Sequence, residues 1–472
     1  MSPPQSAPAS LARPPRPVRE AREPLAWAGE RLAGLGRSDR LVSISVPAPV
    51  AAPETLLRRA PRALGLLWHP QQGIGVAGVG AALRIDLKGR QRFDDLRRGA
   101  AALFRQLEEI AHPNCQPPPP RLFGGLAFAP GAAAESPWQA FGDGSFCLPR
   151  WRYTVEDEQA ALTLTVRGGE VGGGARVWLE GMGRILEALA RAQTRSQPPP
   201  PLPAVERVAR PSRTRFMAQV EAIRGAIASG GFEKIVAAHR TVVTLTAAAD
   251  VLGVLERLGR GLRASTRFAF VREDATLFGA TPERLVRLEG RALETEALAG
   301  SLAVDEGPAR QLLASRKDRC EHQLVVRSIV RRLEPLVERL EVAAAPRVRS
   351  LREVLHLHTP IRGVLAAPRH VLDLVELLHP TPAVGGVPTG DAMRWIADNE
   401  PQGRGWYAGP IGWFDARGDG AFAVALRTCV LRGRRAYLYA GAGIVADSDP
   451  LLEYAETAVK WRGLLRALGV ER

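Results

Sequence analysis

The segment 407–445 constrains the fold of this chain more than any other part of the sequence. It reads YAGPIGWFDARGDGAFAVALRTCVLRGRRAYLYAGAGIV, in which short apolar runs are separated by clusters of Gly, Asp and Arg. Such runs with turn residues between them predict strands that follow one another in a meander. Two upstream segments, IVAAHRTVVTL and RFAFVR, are predicted to be strands as well.

Apolar residues at helical spacing predict the helices. One such set precedes the strand IVAAHRTVVTL and comprises Phe216, Val220, Ile223 and Ile227. Further helices are predicted near 94–111, 175–194, 308–340 and 450–468. Asp449 suits the N-cap of the last helix and Pro450 suits its first turn.

A proline-rich connector, TRSQPPPPLPAVE at 194–206, divides the chain into halves and is expected to be extended and to lie at the surface. Residues 1–22 are predicted to be a disordered tail. The N-terminal part, 23–193, contains short apolar runs separated by Gly and Pro clusters, which predict strands and turns. We do not expect the two halves to be independent domains, and 23–472 is predicted to be a single unit.

Charge and composition exclude several classes of protein. The net charge is +15, but the 64 basic residues are dispersed among 49 acidic ones, so a nucleic-acid partner is not expected. No apolar run approaches the roughly 20 residues of a spanning helix, and the N-terminus lacks the apolar core of a secretory signal. The cysteines are scattered without metal-binding spacing: Cys115, Cys147, Cys320 and Cys429. A cytoplasmic protein without a membrane partner is the expectation.

Lysine is rare in this chain, although basic residues are common. Of the 64 basic residues only four are lysines: Lys88, Lys234, Lys317 and Lys460. Arginine keeps its proton at working pH, whereas lysine is compact and can release its proton. A lysine retained in an arginine-rich background is therefore a candidate for chemistry or tight geometry. Lys88, on the turn-like segment DLKGRQ, is the exception.

Two helices present acidic residues in register. Asp318 and Glu321 lie three residues apart on a face that continues toward Val325, so that face is expected to point inward. The last helix places three residues on one face: Glu453, Glu456 and Lys460. Either helix also suits a solvated, salt-bridged surface, and glutamates in a first turn complement the helix dipole. Two facing helices that each give a glutamate would equally satisfy Mg²⁺, which takes one or two carboxylates.

Lys234 and Glu283 each have two interpretations. Lys234 begins an apolar strand, either as an edge lysine that reaches solvent or as a desolvated general base with a lowered pKa. Glu283 follows Thr281-Pro282 in a turn between strands. It is either a turn acid paired with Arg284 or a protonated acid that donates to a leaving oxygen. These residues alone do not decide between the interpretations.

Ten segments of the C-terminal half, in order, resemble the chorismate-utilising enzymes, most closely isochorismate synthase. They are FEKIVAAHR, FGATPERL, TEALAGS, SRKDRCEH, LHLHTPIRG, LHPTPAVGGVP, RGWYAGPIGWFD, VALR, AGAGIV and SDPLLEYAETAVK. The resemblance implies an α+β fold in which large antiparallel sheets pack together with helices outside, and a catalytic core at 207–470. It also implies a monomer with a cleft that binds Mg²⁺ and chorismate. Enzymes of this kind serve menaquinone, siderophore or salicylate synthesis.

The resemblance assigns roles to matching residues. Glu321 and Glu456 are the implied metal ligands, with Asp318 and Glu453 in support directly or through water. Lys234 is the implied base that activates water for attack at C2 of the ring. Glu283 is the implied acid that protonates the departing C4 hydroxyl.

Further residues are implied to bind the substrate. Tyr407 and Arg427 are expected to hold a carboxylate, and arginine suits a bidentate grip. The backbone of Ala442 and Gly443 approaches the substrate closely, as glycine allows. Two more residues are implied to line the site near the ring and the metal: His356 and Lys460.

Single residues bear on the choice of reaction. Anthranilate synthases usually carry Gln where Lys234 stands, and aminodeoxychorismate synthases a lysine where Ala299 stands. Salicylate synthases, which go on to eliminate pyruvate, tend to have Thr at the position of Ala383. The sequence therefore favours isochorismate synthase, with salicylate synthase as the first alternative and the large component of anthranilate synthase as the second. The chain departs from the family in a shorter segment between Glu283 and Glu321, and in His239, where a small residue is usual.

Overall fold

Strands with alternating apolar residues dominate the described part of the chain, which comprises 22–36, 39–59, 64–171, 174–194, 200–259 and 265–470 of this computed structural model. Within these ranges the strands join into one sheet of 21 strands, and helices pack against it. The fold is α+β, as predicted. No helix in the described ranges is both long enough and apolar enough to cross a membrane.

The helices fall between the strands along the whole described chain. In chain order they are α1 Arg22–Gly34, α2 Glu54–Leu57, α3 Arg92–Arg105, α4 Gly168–Val171, α5 Ala175–Thr194, α6 Arg213–Ala228, α7 Val251–Gly259, α8 Ala309–Ala314, α9 Arg316–Leu333, α10 Val371–Leu378, α11 Thr389–Asn399 and α12 Pro450–Ala467. The last of these has the predicted cap, because the Asp449 carboxylate accepts from Leu451 N at 2.8 Å and from Leu452 N at 3.0 Å.

The strands of the N-terminal half are β1 Leu41–Pro47, β2 Gly65–His69, β3 Gly75–Leu87, β4 Leu107–Ala111, β5 Arg121–Leu126, β6 Gly144–Glu156 and β7 Gln159–Arg167. Those that follow are β8 Val205–Ala209, β9 Lys234–Leu245, β10 Thr266–Arg272, β11 Ala275–Thr281, β12 Arg284–Glu289, β13 Ala292–Ala303, β14 Val337–Val342, β15 Arg347–Leu351, β16 Val354–Leu365, β17 Gly386–Val387, β18 Pro410–Asp415, β19 Gly420–Val424, β20 Thr428–Arg432 and β21 Arg435–Ile444. The strands predicted for IVAAHRTVVTL, RFAFVR and the segment 407–445 are confirmed. The meander predicted for the last segment is wrong, because it forms two separate hairpins: β18 with β19, which goes on to pair with β12, and β20 with β21, where β20 also pairs with β11.

The sheet divides into two arms at β6, which pairs with β3, β5 and β7. One arm continues from β3 through β2, β10, β11, β20 and β21 to β9. The other continues from β5 through β18, β19, β12 and β13 to β16. All of these pairs are antiparallel. Strands from both halves of the chain thus alternate in one sheet, and the candidate site lies where β9 and β21 of the first arm approach β13 of the second.

Two predicted helices end earlier than expected. The helix predicted near 94–111 stops at Arg105, and 107–111 is β4, which pairs in parallel with β1. The helix predicted over 308–340 is interrupted at Ser315, which is extended and caps α9 by accepting from Asp318 N. Its C-terminal end, 337–342, is β14 and pairs with β16. In both cases hydrogen bonds to a strand distant in sequence override local helical periodicity.

The unusual His239 belongs to the packing between α6, β9 and α12. Its ring stacks on Phe216 with centroids 4.2 Å apart, and the Trp461 ring lies 4.8 Å away on a tilted plane. Nε2 is 2.7 Å from Thr457 Oγ1. Burial lowers the pKa of His239 to about 3, so the imidazole is neutral at physiological pH. His239 therefore packs as a neutral aromatic residue against α12, the helix that contains Glu453 and Glu456.

The predicted tail lies outside the described residues except for Arg22, where α1 begins. The connector at 194–206 is described only in part: α5 ends at Thr194, and β8 begins at Val205. Both large apolar clusters draw on residues of the two halves, Leu122 with Ile411 in one and Leu67 with Phe278 in the other. That the chain is a single unit nevertheless stays a prediction.

Candidate active site

Lys234 lies at the start of β9 with its side chain fully buried. Its backbone pairs with Val387 of β17, and two residues later Val236 pairs with Gly443 of β21. Gly443 has no side chain, and this leaves the space that Lys234 occupies. A Cβ atom on Gly443 would lie 2.6 Å from Lys234 Cε and 2.3 Å from Glu321 Oε1. The second glycine of AGAGIV, Gly443, is therefore required by the side chains of Lys234 and Glu321 beside it.

Glu321 projects from α9 toward this lysine. The helix is capped by Ser315, and its buried face includes Glu321 and Val325, which lie four residues apart. Glu321 Oε1 lies 2.9 Å from Lys234 Nζ. Burial alone would raise the pKa of Glu321, but the ammonium of Lys234 holds it below the ordinary value. The interpretation of Lys234 as an edge lysine that reaches solvent is therefore wrong. Asp318, one turn earlier, is only partly buried, and its carboxylate accepts from Ser315 Oγ and from Ser301 N.

Replacing Gly443 by alanine tests this close packing. We expect Gly443→Ala to displace the Lys234–Glu321 pair and to lower turnover by about tenfold or more, because both contacts would be far shorter than van der Waals distance. The measurement is steady-state product formation with a thermal melt of the same sample. Gly225→Ala is the matched control: nothing lies within 4 Å of its added Cβ, and alanine there should stabilise α6 slightly. Equal activity of both variants would contradict the requirement.

The carboxylates predicted to hold a metal each have a polar partner. Glu453 is paired with Lys317 of α9, and Glu456 Oε1 lies 2.6 Å from Lys460 Nζ. Among the described residues, no three or more His, Cys, Asp or Glu side chains are close enough together in this conformation to hold a metal ion. Glu453 and Glu456 are nevertheless close enough to affect each other: burial first, and then the charge of Glu456, raise the pKa of Glu453 to about 7.

This carboxylate set fits Mg²⁺ in its chemistry. All the donors are oxygens, which Mg²⁺ prefers, and α9 and α12 each contribute a glutamate. Glu453 Oε2 is buried without a hydrogen-bond partner, an acceptor that a cation or its water would satisfy. Glu321, Glu456, Glu453 and Asp318 therefore stay predicted as the metal-binding residues.

Glu283 lies in the turn between β11 and β12 and lines a small cavity together with Glu321 and Glu456. It is buried and does not pair with Arg284, whose guanidinium instead contacts Glu294. The interpretation of Glu283 as a turn acid is thus wrong. Burial first, and then the nearby charge of Glu296, raise the pKa of Glu283 to about 8. At neutral pH this carboxyl is therefore protonated and able to donate.

The cavity between these groups has a volume of about 80 Å³ and contains most of the predicted substrate-binding residues. His356 is neutral, because burial and then the charges of Arg427 and Lys460 hold its pKa well below the ordinary value. Its Nδ1 is 3.2 Å from Gly300 O, which accepts, and Arg427 Nη2 donates to Nε2 at 3.3 Å.

Arg427 and Tyr407 both line this cavity. Arg427 has a φ of +51°, rare for a residue with a side chain, and donates to Lys460 O at 2.8 Å. Tyr407 stacks on Tyr439 at 5.3 Å, and burial raises its pKa to about 12, so its hydroxyl keeps its proton. The amino group of Lys460 donates to Gly441 O at 2.7 Å. Ala442 belongs to the same strand but does not line the cavity.

Sequence reasoning missed residues that support the site. Arg404 is buried and donates to Val384 O, Val236 O and Glu400, so it joins the segment that contains Ala383 to the strand of Lys234. Ser301 lies 3.1 Å from His356 Nδ1. Lys317, singled out by its rarity, had no assigned partner. Neither serine nor arginine stands out in this composition, so no local signal marked the first two.

Comparison with known proteins identifies the family. The model for the chorismate binding enzymes matches residues 30–469. A salicylate biosynthesis isochorismate synthase from Pseudomonas aeruginosa is 36% identical over 408 residues, which cover 85% of this chain and 84% of that protein. The isochorismate synthase MenF of Bacillus subtilis is 33% identical over 419 residues, with coverage of 85% and 87%. The solved structure of MenF, the menaquinone-specific isochorismate synthase from Escherichia coli, matches with a TM-score of 0.77 and 27% identity over 95% of this chain and all of that one. The chain belongs to the chorismate-binding enzyme family.

Proposed function

We propose that this enzyme is an isochorismate synthase, an isomerase that converts chorismate to isochorismate. One observation carries the proposal: Glu283, whose pKa is raised to about 8, lines a small cavity, and the buried Lys234 contacts Glu321 and Gly443, which line the same cavity. The reaction needs a base for the incoming water and an acid for the leaving hydroxyl. The names of the relatives from Pseudomonas aeruginosa and Bacillus subtilis support the same activity.

The two groups act on opposite ends of one displacement. Lys234 accepts a proton from a water molecule whose oxygen forms a bond to C2 of the ring, and the ring double bonds shift. The C–O bond at C4 breaks, and the proton of Glu283 converts the departing hydroxyl into water. The substrate thus gains and loses one hydroxyl group. Lys234 ends protonated and Glu283 ionised, and exchange with solvent restores both for the next turnover.

The remaining residues hold the substrate in register with these groups. Chorismate is a dianion at neutral pH, so a guanidinium and an ammonium at one wall of the cavity favour its binding. Arg427 and the protonated Tyr407 would receive one carboxylate, with Gly441 at close approach. His356, neutral and hydrogen-bonded to Arg427, would fix the orientation of that guanidinium.

Mg²⁺ would be held by Glu321 and Glu456, with Asp318 and Glu453 in support, and when bound it supplies positive charge for the second carboxylate of the substrate. Lys234 is the counter-ion of Glu321 in this structure, and Lys317 that of Glu453. Lys234 can accept a proton from water only as the neutral amine, so its own proton leaves to solvent before the displacement begins.

Incubation with chorismate and Mg²⁺, followed by chromatography of the products, tests the proposed function. We expect isochorismate as the only product, and loss of activity in EDTA that returns when Mg²⁺ is restored. Salicylate with pyruvate would identify the alternative, a salicylate synthase. The absence of turnover under these conditions would contradict both.

Ala383 is predicted to decide between these two activities. It lines the cavity beside Val384, where the relatives that release pyruvate tend to carry threonine. We expect Ala383→Thr to introduce pyruvate release, because a hydroxyl at that position can assist elimination from bound isochorismate. A coupled assay for pyruvate measures this, with Ala383→Val, equal in shape but without the hydroxyl, as the control. Pyruvate at the wild-type level from an active Ala383→Thr enzyme would show that the residue does not discriminate.

A further inference from the structure

Glu283 is bordered by a partly buried ion pair that lies outside the small cavity. Glu296 of β13 and Arg349 of β15 form two parallel hydrogen bonds, from Nη1 to Oε1 at 2.9 Å and from Nη2 to Oε2 at 2.8 Å. His358 Nε2 lies 2.9 Å from the same Oε2. Glu296 and Arg349 line a second cavity of about 660 Å³, which reaches Glu283 from its other side. The pair therefore adjoins the proposed acid without adjoining the small cavity beside Lys234.

The pair bonds to the backbone on both sides of Glu283. Arg349 Nη1 donates to Pro282 O at 3.1 Å, and Glu296 Oε1 accepts from Arg284 N at 3.0 Å. These are the residues immediately before and after Glu283. Because the guanidinium and the carboxylate hold each other in a fixed fork, the two bonds restrict the peptide groups from which the Glu283 side chain extends.

The pair also determines the charge that Glu283 experiences. The bonds from His358 and Arg349 outweigh burial and lower the pKa of Glu296 to about 2, so this carboxylate is ionised. Its negative charge disfavours ionisation of Glu283. After burial, the charged groups with the largest effects on Glu283 are Glu296, Lys234, Arg349 and Lys460. Of these only Glu296 is negative, whereas the three cations act in the opposite direction.

We propose that Glu296, held by Arg349, is a positioning residue for Glu283: it fixes the flanking peptide groups and places a negative charge beside the acid. The inference rests on the proposed function, in which Glu283 donates a proton to the leaving hydroxyl. Glu296 itself does not line the small cavity proposed to hold the substrate. Its effect should therefore appear in the protonation of Glu283 rather than in substrate affinity.

The pH dependence of kcat tests this role. Glu296→Gln keeps the shape of the side chain and removes its charge, so the alkaline limb of the profile should move about one pH unit toward acid. Because a pKa lowered from about 8 to about 7 only halves the protonated fraction at pH 7, we expect kcat to fall about twofold there and about tenfold above pH 9, while KM changes little. Glu294→Gln, on the same strand two residues earlier and paired with the side chain of Arg284, is the matched control and should keep the wild-type limb.

Glu296→Asp separates charge from structure. It keeps the negative charge but withdraws the carboxylate by one methylene, so the limb should stay at its wild-type position while kcat falls. A merely structural residue would give the same limb in Glu296→Gln and Glu296→Asp, and that result would overturn the proposal. If Glu296→Gln does not fold, Glu296→Asp alone decides: an alkaline limb displaced from its wild-type position in that variant would also overturn the proposal.

Infrared difference spectra give a readout that does not require turnover. The carbonyl band of the protonated Glu283 carboxyl is identified by its loss in Glu283→Gln, and its disappearance with rising pH gives the titration directly. We expect this titration to move toward acid in Glu296→Gln and not in Glu294→Gln. A wild-type enzyme that forms no isochorismate would contradict the proposed function alone. An unmoved infrared titration in Glu296→Gln would contradict the role of Glu296 whatever the reaction.

Discussion

Replacement of Lys234 by arginine is expected to lower turnover by about 10²-fold or more, the usual scale for loss of a general base. Arginine keeps the positive charge beside Glu321 but cannot release its proton at working pH, so it cannot accept one from water. Binding of chorismate and Mg²⁺, measured by calorimetry, should persist while product formation is lost. Near-normal turnover in Lys234→Arg would mean that the residue supplies charge only.

Two further variants make this result specific. Lys88→Arg changes a lysine that directly follows β3, outside the ten segments that carry the resemblance, and should leave turnover and melting temperature unchanged. Lys234→Gln addresses the space around the side chain, since the guanidinium is larger than the ammonium and Gly443 leaves little room. Glutamine is smaller and neutral, and we expect the same loss of turnover from it. A loss in Lys234→Arg with full activity in Lys234→Gln would indicate crowding rather than loss of a base.

The parts of the fold that were predictable are those specified by neighbouring residues. Asp449 and Pro450 specify the start of α12 locally, because a side-chain cap and a fixed φ act within one turn. The assignments at 107–111 and 337–342 were wrong, because those residues are strands only through partners far away in sequence. Leu107 pairs with Leu41, and Val342 pairs with Ile361. Local periodicity contains no information about such pairing.

The site was predictable to the extent that its residues lie in segments typical of the family. Lys234 and Glu283 were selected in this way and stay predictions, and the scarcity of lysine pointed to Lys317 as well. What the sequence could not provide is which charge faces which. The pairing of Lys317 with Glu453 joins α9 to α12, and that of Arg349 with Glu296 joins β15 to β13. Each depends on side chains from separate elements, for which no spacing rule exists.

Glu283→Gln is expected to lower turnover at pH 7 by about 10²-fold or more, because glutamine matches the protonated carboxyl in shape but has no proton to transfer to the leaving hydroxyl. In the wild-type enzyme the rate should fall as pH rises through about 8, where Glu283 ionises. The residual activity of Glu283→Gln should lack this alkaline limb. Glu289→Gln, an exposed glutamate at the end of β12, is the matched control and should keep both rate and limb.

Thermal unfolding as a function of pH checks the same residue independently of catalysis. The folded protein keeps a proton on Glu283 up to about pH 8, whereas the unfolded chain releases it near the ordinary value of 4.5. Between these values the native state binds more protons than the unfolded state, so this group lowers the stability as pH rises, until the folded carboxyl also ionises. Glutamine removes that contribution. Relative to the wild type, Glu283→Gln should therefore become more stable as pH rises from 5 to 8. A constant difference in melting temperature over this range would show that Glu283 is already ionised in the folded enzyme and cannot be its acid.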